Sequence, residues 1–260
     1  MRILKCPSCG FPFMFSRIIR WNDNGTITER MMPNLRAVLL EADLFNALFA
    51  RIEERMGISI SHLVFEAQRN AAKEVIDGML NRFPFSLARL GPGKKLVVRV
   101  FCAVAIVTGQ SYARAIRYRM GQEGEAIMRN PYNRELMAAI VLGAFESLER
   151  KPFEHTWAEI DGMDVLVISA SLEKPKISER MAVHMPPLKP GKLSFPRCRI
   201  CGVPRELSYL EWRVEEGVIV DARRDVRMAF LDGYTPTTVF RELERELGED
   251  IYPLIIAAQK

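Results

Sequence analysis

The sequence predicts an α+β fold: an antiparallel sheet with helices on one side, flanked at both ends by a module of cysteine knuckle, hairpin and helix. Three observations carry that prediction. Two glycine-terminated cysteine pairs, Cys6-Pro7-Ser8-Cys9-Gly10 and Cys198-Arg199-Ile200-Cys201-Gly202, stand almost the whole chain apart. The residues after each pair match in kind and spacing. Between the two copies, strand pairs bracket an amphipathic helix, the pattern of an antiparallel layer covered by helices.

Each Cys-x-x-Cys-Gly segment reads as a knuckle, in which glycine permits the tight turn and nearby amides can hydrogen-bond the thiolates. One knuckle supplies half of a tetrahedral tetrathiolate site, so Cys6, Cys9, Cys198 and Cys201 together supply a whole one. Zn2+ is the expected ion, and iron held as in rubredoxin is the alternative. Shared between the knuckles, such an ion closes a very long loop, where chain entropy gives a large stabilisation.

The knuckles also open an internal repeat. Trp21 follows Cys9 by twelve residues, and Trp212 follows Cys201 by eleven. Gly25 and Gly217, Arg36 and Arg227, Glu41 and Asp232, Gly57 and Gly248, and Gln68 and Gln259 then recur in one order, at an offset of 191 from Arg36 onward. In copy one, polar–apolar alternation runs through Trp21, turns at Asn24-Gly25 and resumes to Leu40, which predicts a hairpin. Leu44, Leu48, Ile52 and Met56 at spacing four predict a helix stopped by Gly57, and a second helix is expected from about Ser61 to Leu80. Copy two repeats the hairpin through Trp212, Gly217 and Phe230. Its helix is expected to open at Thr235-Pro236, a cap and a first-turn proline, and to end at Gly248. The tryptophans are expected to cover the knuckles as core.

The middle differs. The apolar run from Leu96 to Val107 suits a buried helix ended by Thr108-Gly109. Ser111 to Met120 and Glu125 to Asn130 read as a hairpin, Arg134 to Leu148 as a helix capped by Asn133, and 153–160 with 163–169 as a second hairpin around Asp161-Gly162. A stretch with Pro175, Pro186, Pro187, Pro190 and Pro196 reads as an extended surface linker. The expected organisation is thus 1–83 (copy one), 84–172 (central domain), 173–197 (linker) and 198–260 (copy two).

Composition narrows the function classes. The 260 residues are 48% hydrophobic, enough to bury a substantial core, and the net charge is +5 with 37 basic against 32 acidic residues. The pI near 9.0 reflects a mildly basic, well-mixed surface. A leaderless start, paired thiols and an apolar maximum of only Phe101 to Val107 lead to the expectation of a cytoplasmic protein with no membrane span.

Two runs resemble the 4-vinyl reductase family. Arg36-Ala37-Val38-Leu39-Leu40, an amphipathic helix, Gly57 and a long helix are similar to the opening of that domain. Arg129-Asn130-Pro131-Tyr132-Asn133, a helix with Gly143 and Glu146, then Trp157 and 165–168, are similar to its closing portion. The resemblance spans about residues 35–172. It implies a fold related to heme-NO-binding domains and a small hydrophobic ligand, often in a sensory role. The cysteines that many such domains carry after their last helix are missing here, so the family's own metal site does not transfer.

Other chemistry is sparse. No phosphate loop, catalytic triad or metal-hydrolase histidine pair occurs, which favours binding over catalysis. His62 and His184 read as surface residues, and Cys102 as a packed core thiol. His155 and Trp157, two apart on one strand, share a face. With Phe101, Tyr112 and Tyr118 they form the expected ligand-pocket wall, where aromatic faces supply contact area and a few polar groups fix orientation. The expected function is therefore a zinc-containing sensor or carrier of a small hydrophobic, hydrocarbon-like molecule, with a protein partner or a second copy for output. The alternative is a zinc-ribbon adaptor that uses Arg17, Arg20, Arg197 and Arg199 on nucleic acid or a protein, with salt-dependent binding as its signature.

Overall fold

The computed structural model describes residues 3–172, 187–248 and 251–258, and it is α+β with curled antiparallel sheets and helices. The elements run α1 (Phe13–Ile18), β1 (Ile19–Trp21), β2 (Ile27–Glu29), β3 (Arg36–Glu41), α2 (Leu44–Met56), α3 (Ser61–Leu80), α4 (Pro92–Val107), β4 (Tyr112–Arg119), β5 (Glu123–Arg129) and α5 (Arg134–Glu149). They continue with β6 (Phe153–Ile160), β7 (Met163–Ala170), β8 (Leu210–Arg213), β9 (Val218–Asp221), β10 (Val226–Asp232), α6 (Tyr234–Leu247) and α7 (Tyr252–Ala258). Gln259, His184, Pro175 and Pro186 lie outside the described residues. None of the described helices is long and apolar enough to cross a membrane.

One six-stranded sheet, ordered β1-β2-β3-β10-β9-β8, takes its first three strands from one end of the chain and its last three from the other. The halves meet where β3 and β10 pair antiparallel, with Leu39 opposite Phe230, Ala37 opposite Asp232 and Glu41 opposite Met228. Moving every residue by the offset of 191 maps these pairs onto one another. Gly57 and Gly248, after α2 and α6, both adopt left-handed conformations, with φ of 67° and 66°.

Two local expectations need correction. The segment before Trp21 is helical, not extended, until Ile19. Phe11, Phe15 and Ile19 recur every fourth residue and are at most 2% exposed, so a helical stripe outweighs the apparent alternation. The helix of the second copy begins one residue before Thr235, at Tyr234 after Gly233, which leaves Pro236 in the first turn, where its missing N–H costs nothing.

The middle of the chain forms a four-stranded sheet, β4-β5-β7-β6, built from two hairpins with α5 between them. Asn133 caps α5, its side-chain oxygen accepting the Leu136 N–H at 2.7 Å. Helices α3 and α5 lie so close at Gly143 that a Cβ there would stand 2.2 Å from the Arg69 carbonyl oxygen. One turn on, Glu146 is buried and accepts from Arg69 Nε at 3.1 Å and from the Phe153 amide at 3.1 Å. Arg69 also pairs with Glu66 at 3.2 Å and donates to the Phe153 carbonyl. This buried network ties α3 to α5 and to the first strand of the second hairpin. Both Glu146 oxygens are engaged by Arg69, whereas Glu66 meets Arg69 through Oε1 only and its Oε2 is buried without a hydrogen-bond partner; pairing of charge with charge is the condition for tolerating it in a core.

The proline-bearing segment 187–197 contains no helix or strand and is pinned to the turn between β1 and β2. There, Leu193 N–H donates to the Asp23 carbonyl and Asn24 donates to the Lys189 carbonyl, both at 2.6 Å. It delivers the chain to the second knuckle beside the first.

Candidate ligand cavity and cysteine cluster

The two knuckles are built alike. Cys6 N–H donates to the Phe11 carbonyl and Cys198 N–H to the Val203 carbonyl, each at 2.8 Å, while Gly10 and Gly202 adopt φ of 72° and 73°. The pairs face each other: Cys6 and Cys198 sulfurs are 3.7 Å apart, Cys9 and Cys201 sulfurs 3.4 Å, and all four lie within 4.8 Å of one another. Sulfurs about 2.3 Å from one tetrahedral ion would be separated by about 3.8 Å, so the spacing fits a single tetrathiolate centre. Backbone amides of Cys201 and Ile200 pull the Cys198 thiol down to about 6, while burial pushes Cys9 and Cys201 up. Four thiols in this position could hold a metal ion. With four protein ligands such an ion has no open position, so its contribution there is structural.

Aromatic residues back the cluster. Phe11 packs on Trp212 at 4.7 Å between ring centroids, and Trp212 Nε1 donates to the Val107 carbonyl at 2.8 Å. Trp21 instead meets Phe230 edge-on at 6.5 Å. Among the basic residues near the knuckles, Arg197 is committed internally, donating to the carbonyls of Gly202 and Trp21.

A cavity of about 230 Å³ lies where the six-stranded sheet meets α3, α4 and α5. Phe15, Phe45, Val98, Phe101, Ala105, Met137 and Phe230 supply much of its apolar wall. Of the five expected wall residues, Phe101 lines this cavity. Tyr112, Tyr118, His155 and Trp157 are not among the lining residues of this cavity, and strand geometry explains each position. On β4 the inward residue is Ala113, opposite Met128, so its neighbour Tyr112 turns outward beneath the Arg129 guanidinium, 4.1 Å away. Tyr118 lies beyond a register irregularity between Ala115 and Arg117, where it packs on Phe145 and donates to the Glu149 carboxylate. His155 and Trp157 do share a face, but on β6, the strand at the opposite edge of the sheet from β4. There His155 stacks on Phe65 at 4.8 Å, with burial holding it below its ordinary pKa, and Arg134 covers Trp157 at 4.4 Å. Cys102 lines the cavity as a partly buried thiol that burial pushes up.

No family model matches the chain. No curated protein matches it either. Among solved structures, it is similar to the phenol-responsive sensory domain of the transcription activator PoxR with phenol, at 12% identity and a TM-score of 0.40, covering 60% of this chain and 86% of that one. The functional reading rests on the chain's own site.

The polar residues of the cavity were missed by sequence reasoning. Thr108 and Gln110 spend their donors on the carbonyls of Val104 and Phe230. Glu29 and Asp232 line the same space from strands on either side of β3. Burial, with the Asp232 charge adding, pushes the Glu29 carboxyl up to about 7. A carboxyl raised from 4.5 to about 7 contributes stability that is full below about 4.5 and is lost as pH rises through about 7. Glu29→Gln should therefore match the parent near pH 4 and exceed it by about 2–3 kcal/mol at pH 8.5. Thermal unfolding of both proteins across that range checks this; a constant difference between them would show that the carboxyl does not titrate there.

Proposed function

We propose that this protein binds a small apolar molecule in the cavity between its two sheets, as a sensor or carrier, and that one zinc ion on Cys6, Cys9, Cys198 and Cys201 clasps the two ends of the chain. The cavity carries the first part of this reading. Its volume, about 230 Å³, exceeds the roughly 150 Å³ in which an apolar protein cavity takes up benzene. That favours a ligand of about one ring with short substituents. A wall of aromatic and aliphatic side chains with few polar groups is the usual composition of a ligand site.

The matched ends of the chain belong to the same reading. The pairing of β3 with β10, self-consistent under the offset of 191, supports two copies of one module related by an approximate two-fold axis near Leu39 and Phe230. The two knuckles then stand in equivalent places, and the ion they share sits where the copies meet. Paired thiols of this kind suit a reducing cytoplasm.

The test is displacement. An apolar fluorescent probe should bind and be displaced by small aromatic or isoprenoid compounds. Ala105→Phe, which fills the cavity from α4, should abolish binding while the protein stays folded. Trp157→Ala, on the far strand, should leave affinity within about twofold. Probe binding that survives Ala105→Phe and is lost in Trp157→Ala would move the site to the β6 edge and end this assignment.

A further inference from the structure

Residues 78–100 carry five lysines and arginines and no aspartate or glutamate, and several of their large apolar side chains stand in water. Phe83 is 81% exposed, Leu90 64%, Leu96 62% and Leu87 54%. Single exposed apolar residues are ordinary, but a group of them in one place marks an interaction surface. These belong to one compact unit. The turn Phe85–Arg89 is pressed against the start of α4, where a Cβ on Gly93 would stand 2.8 Å from the Ala88 carbonyl oxygen. On α4 itself, Lys95, Leu96, Arg99 and Val100 are exposed and lie on one arc, since positions three and four apart are neighbours on a helix. Val98, Phe101 and Ala105 line the cavity from the other side of the helix, so Leu96 and Val100 are directed away from it. Ala103 is buried again, which confines the exposed arc to the first turns of α4.

The five cations divide by partner. Arg89 pairs with Asp77 of α3 and Lys94 with Glu149 of α5, which fixes the unit to the helical layer. Arg82 donates to the Met31 carbonyl, a contact that leaves its charge uncompensated. Lys95 and Arg99 make no hydrogen bond or ion pair among the described residues. Apolar side chains therefore protrude among three uncompensated positive charges. A second copy of the chain would bring like charges together on this face, which disfavours self-association there. Protruding apolar tips flanked by cations instead match a bilayer with anionic headgroups, where the tips reach the acyl boundary and the cations meet phosphate.

We propose that this face docks on the surface of a membrane containing anionic lipid, with no segment crossing the bilayer. Phe83, Leu87, Leu90 and Leu96 enter the headgroup boundary, and Arg82, Lys95 and Arg99 lie against lipid phosphates. Each cation beside such a surface strengthens partitioning roughly fivefold, so three of them with a few short apolar tips give reversible attachment. Helix α4 then stands between the bilayer and the cavity.

Sedimentation of the intact chain with vesicles tests this, using phosphatidylcholine alone and phosphatidylcholine with about 30% phosphatidylserine. The mixed vesicles should bind the chain about tenfold more tightly or better. Raising salt from about 0.1 M to about 1 M, which shortens screening from about 10 Å to about 3 Å, should remove most of that gain. Lys95→Glu combined with Arg99→Glu should lower affinity for the mixed vesicles about tenfold or more. Phe83→Ser combined with Leu90→Ser should lower it about fivefold or more. All four side chains are exposed, so unfolding temperatures should match the parent, which separates lost docking from lost folding. Phe83→Trp should shift its emission to shorter wavelength on mixed vesicles, whereas the parent, with tryptophans at 21, 157 and 212, should not. No binding to the mixed vesicles, equal binding to both kinds, or binding that survives the paired glutamates would overturn the proposal. Binding of polyglutamate without binding of either vesicle would also overturn it, and would assign the face to an acidic protein.

Discussion

Gly143→Ala is expected to lower the unfolding temperature by roughly 6–12 °C, the equivalent of about 3 kcal/mol for a chain of this size. The added carbon would stand 2.2 Å from the Arg69 carbonyl oxygen and 3.0 Å from the Lys73 nitrogen, and both are backbone atoms of α3. A side chain can rotate away, but a packed helix must translate. Translation of α3 would also pull Arg69 from Glu146 and leave buried charges imperfectly paired, which compounds the cost. Gly78→Ala is the control within α3. Its added carbon would meet only the Met32 sulfur at 3.8 Å, and alanine in a helix is favoured over glycine by about 0.5–1 kcal/mol, so this variant should be more stable. If the two substitutions behave alike in thermal unfolding, the close approach of α3 and α5 is not what holds the central layer together.

Cys198→Ser should remove the ion and cost about 5 kcal/mol, the chain-entropy value for a cross-link that closes a loop of nearly two hundred residues. Cys198 is the thiol to choose because it is 3% exposed and the amides of Cys201 and Ile200 favour its ionised form. Native mass spectrometry should show one ion per chain in the parent and none in the variant. The knuckle at Cys6 leads into α1, whose Phe15 and Ile18 line the cavity. Loss of the ion should therefore also weaken probe binding and expose the first twenty or so residues to protease. Two ions per chain, or a Cys6–Cys9 disulfide in a metal-free parent, would refute the shared centre.

Much of the fold was legible because its signals are local. The ends of α3 at Ser61 and Leu80 follow from helical periodicity, and the hairpins β4–β5 and β6–β7 follow from alternation between turn residues. Asn133 could be read as a cap because a capping side chain acts on a backbone N–H only three residues away. The start of α1 was misread for the same reason: over so short a stretch, alternation and a four-residue stripe overlap, and packing against Trp212 and Phe230 favours the helix. The cysteine cluster is a long-range feature that sequence could still suggest, since metal chemistry requires four ligands and each knuckle carries two.

The cavity was different. Its carboxylates stand on β2 and β10, about two hundred residues apart, and share a face only because β3 lies between them. Whether Tyr112 or Ala113 points inward depends on strand parity against α4, and a single-residue change of register reverses it. By itself, the sequence determined most of the helices, the two central hairpins, the knuckles and the pairing of cysteines across the chain, because spacing along the backbone encodes each of them. Only the tertiary structure decided which aromatic residues face the cavity and where its acids meet, because both depend on how distant strands align.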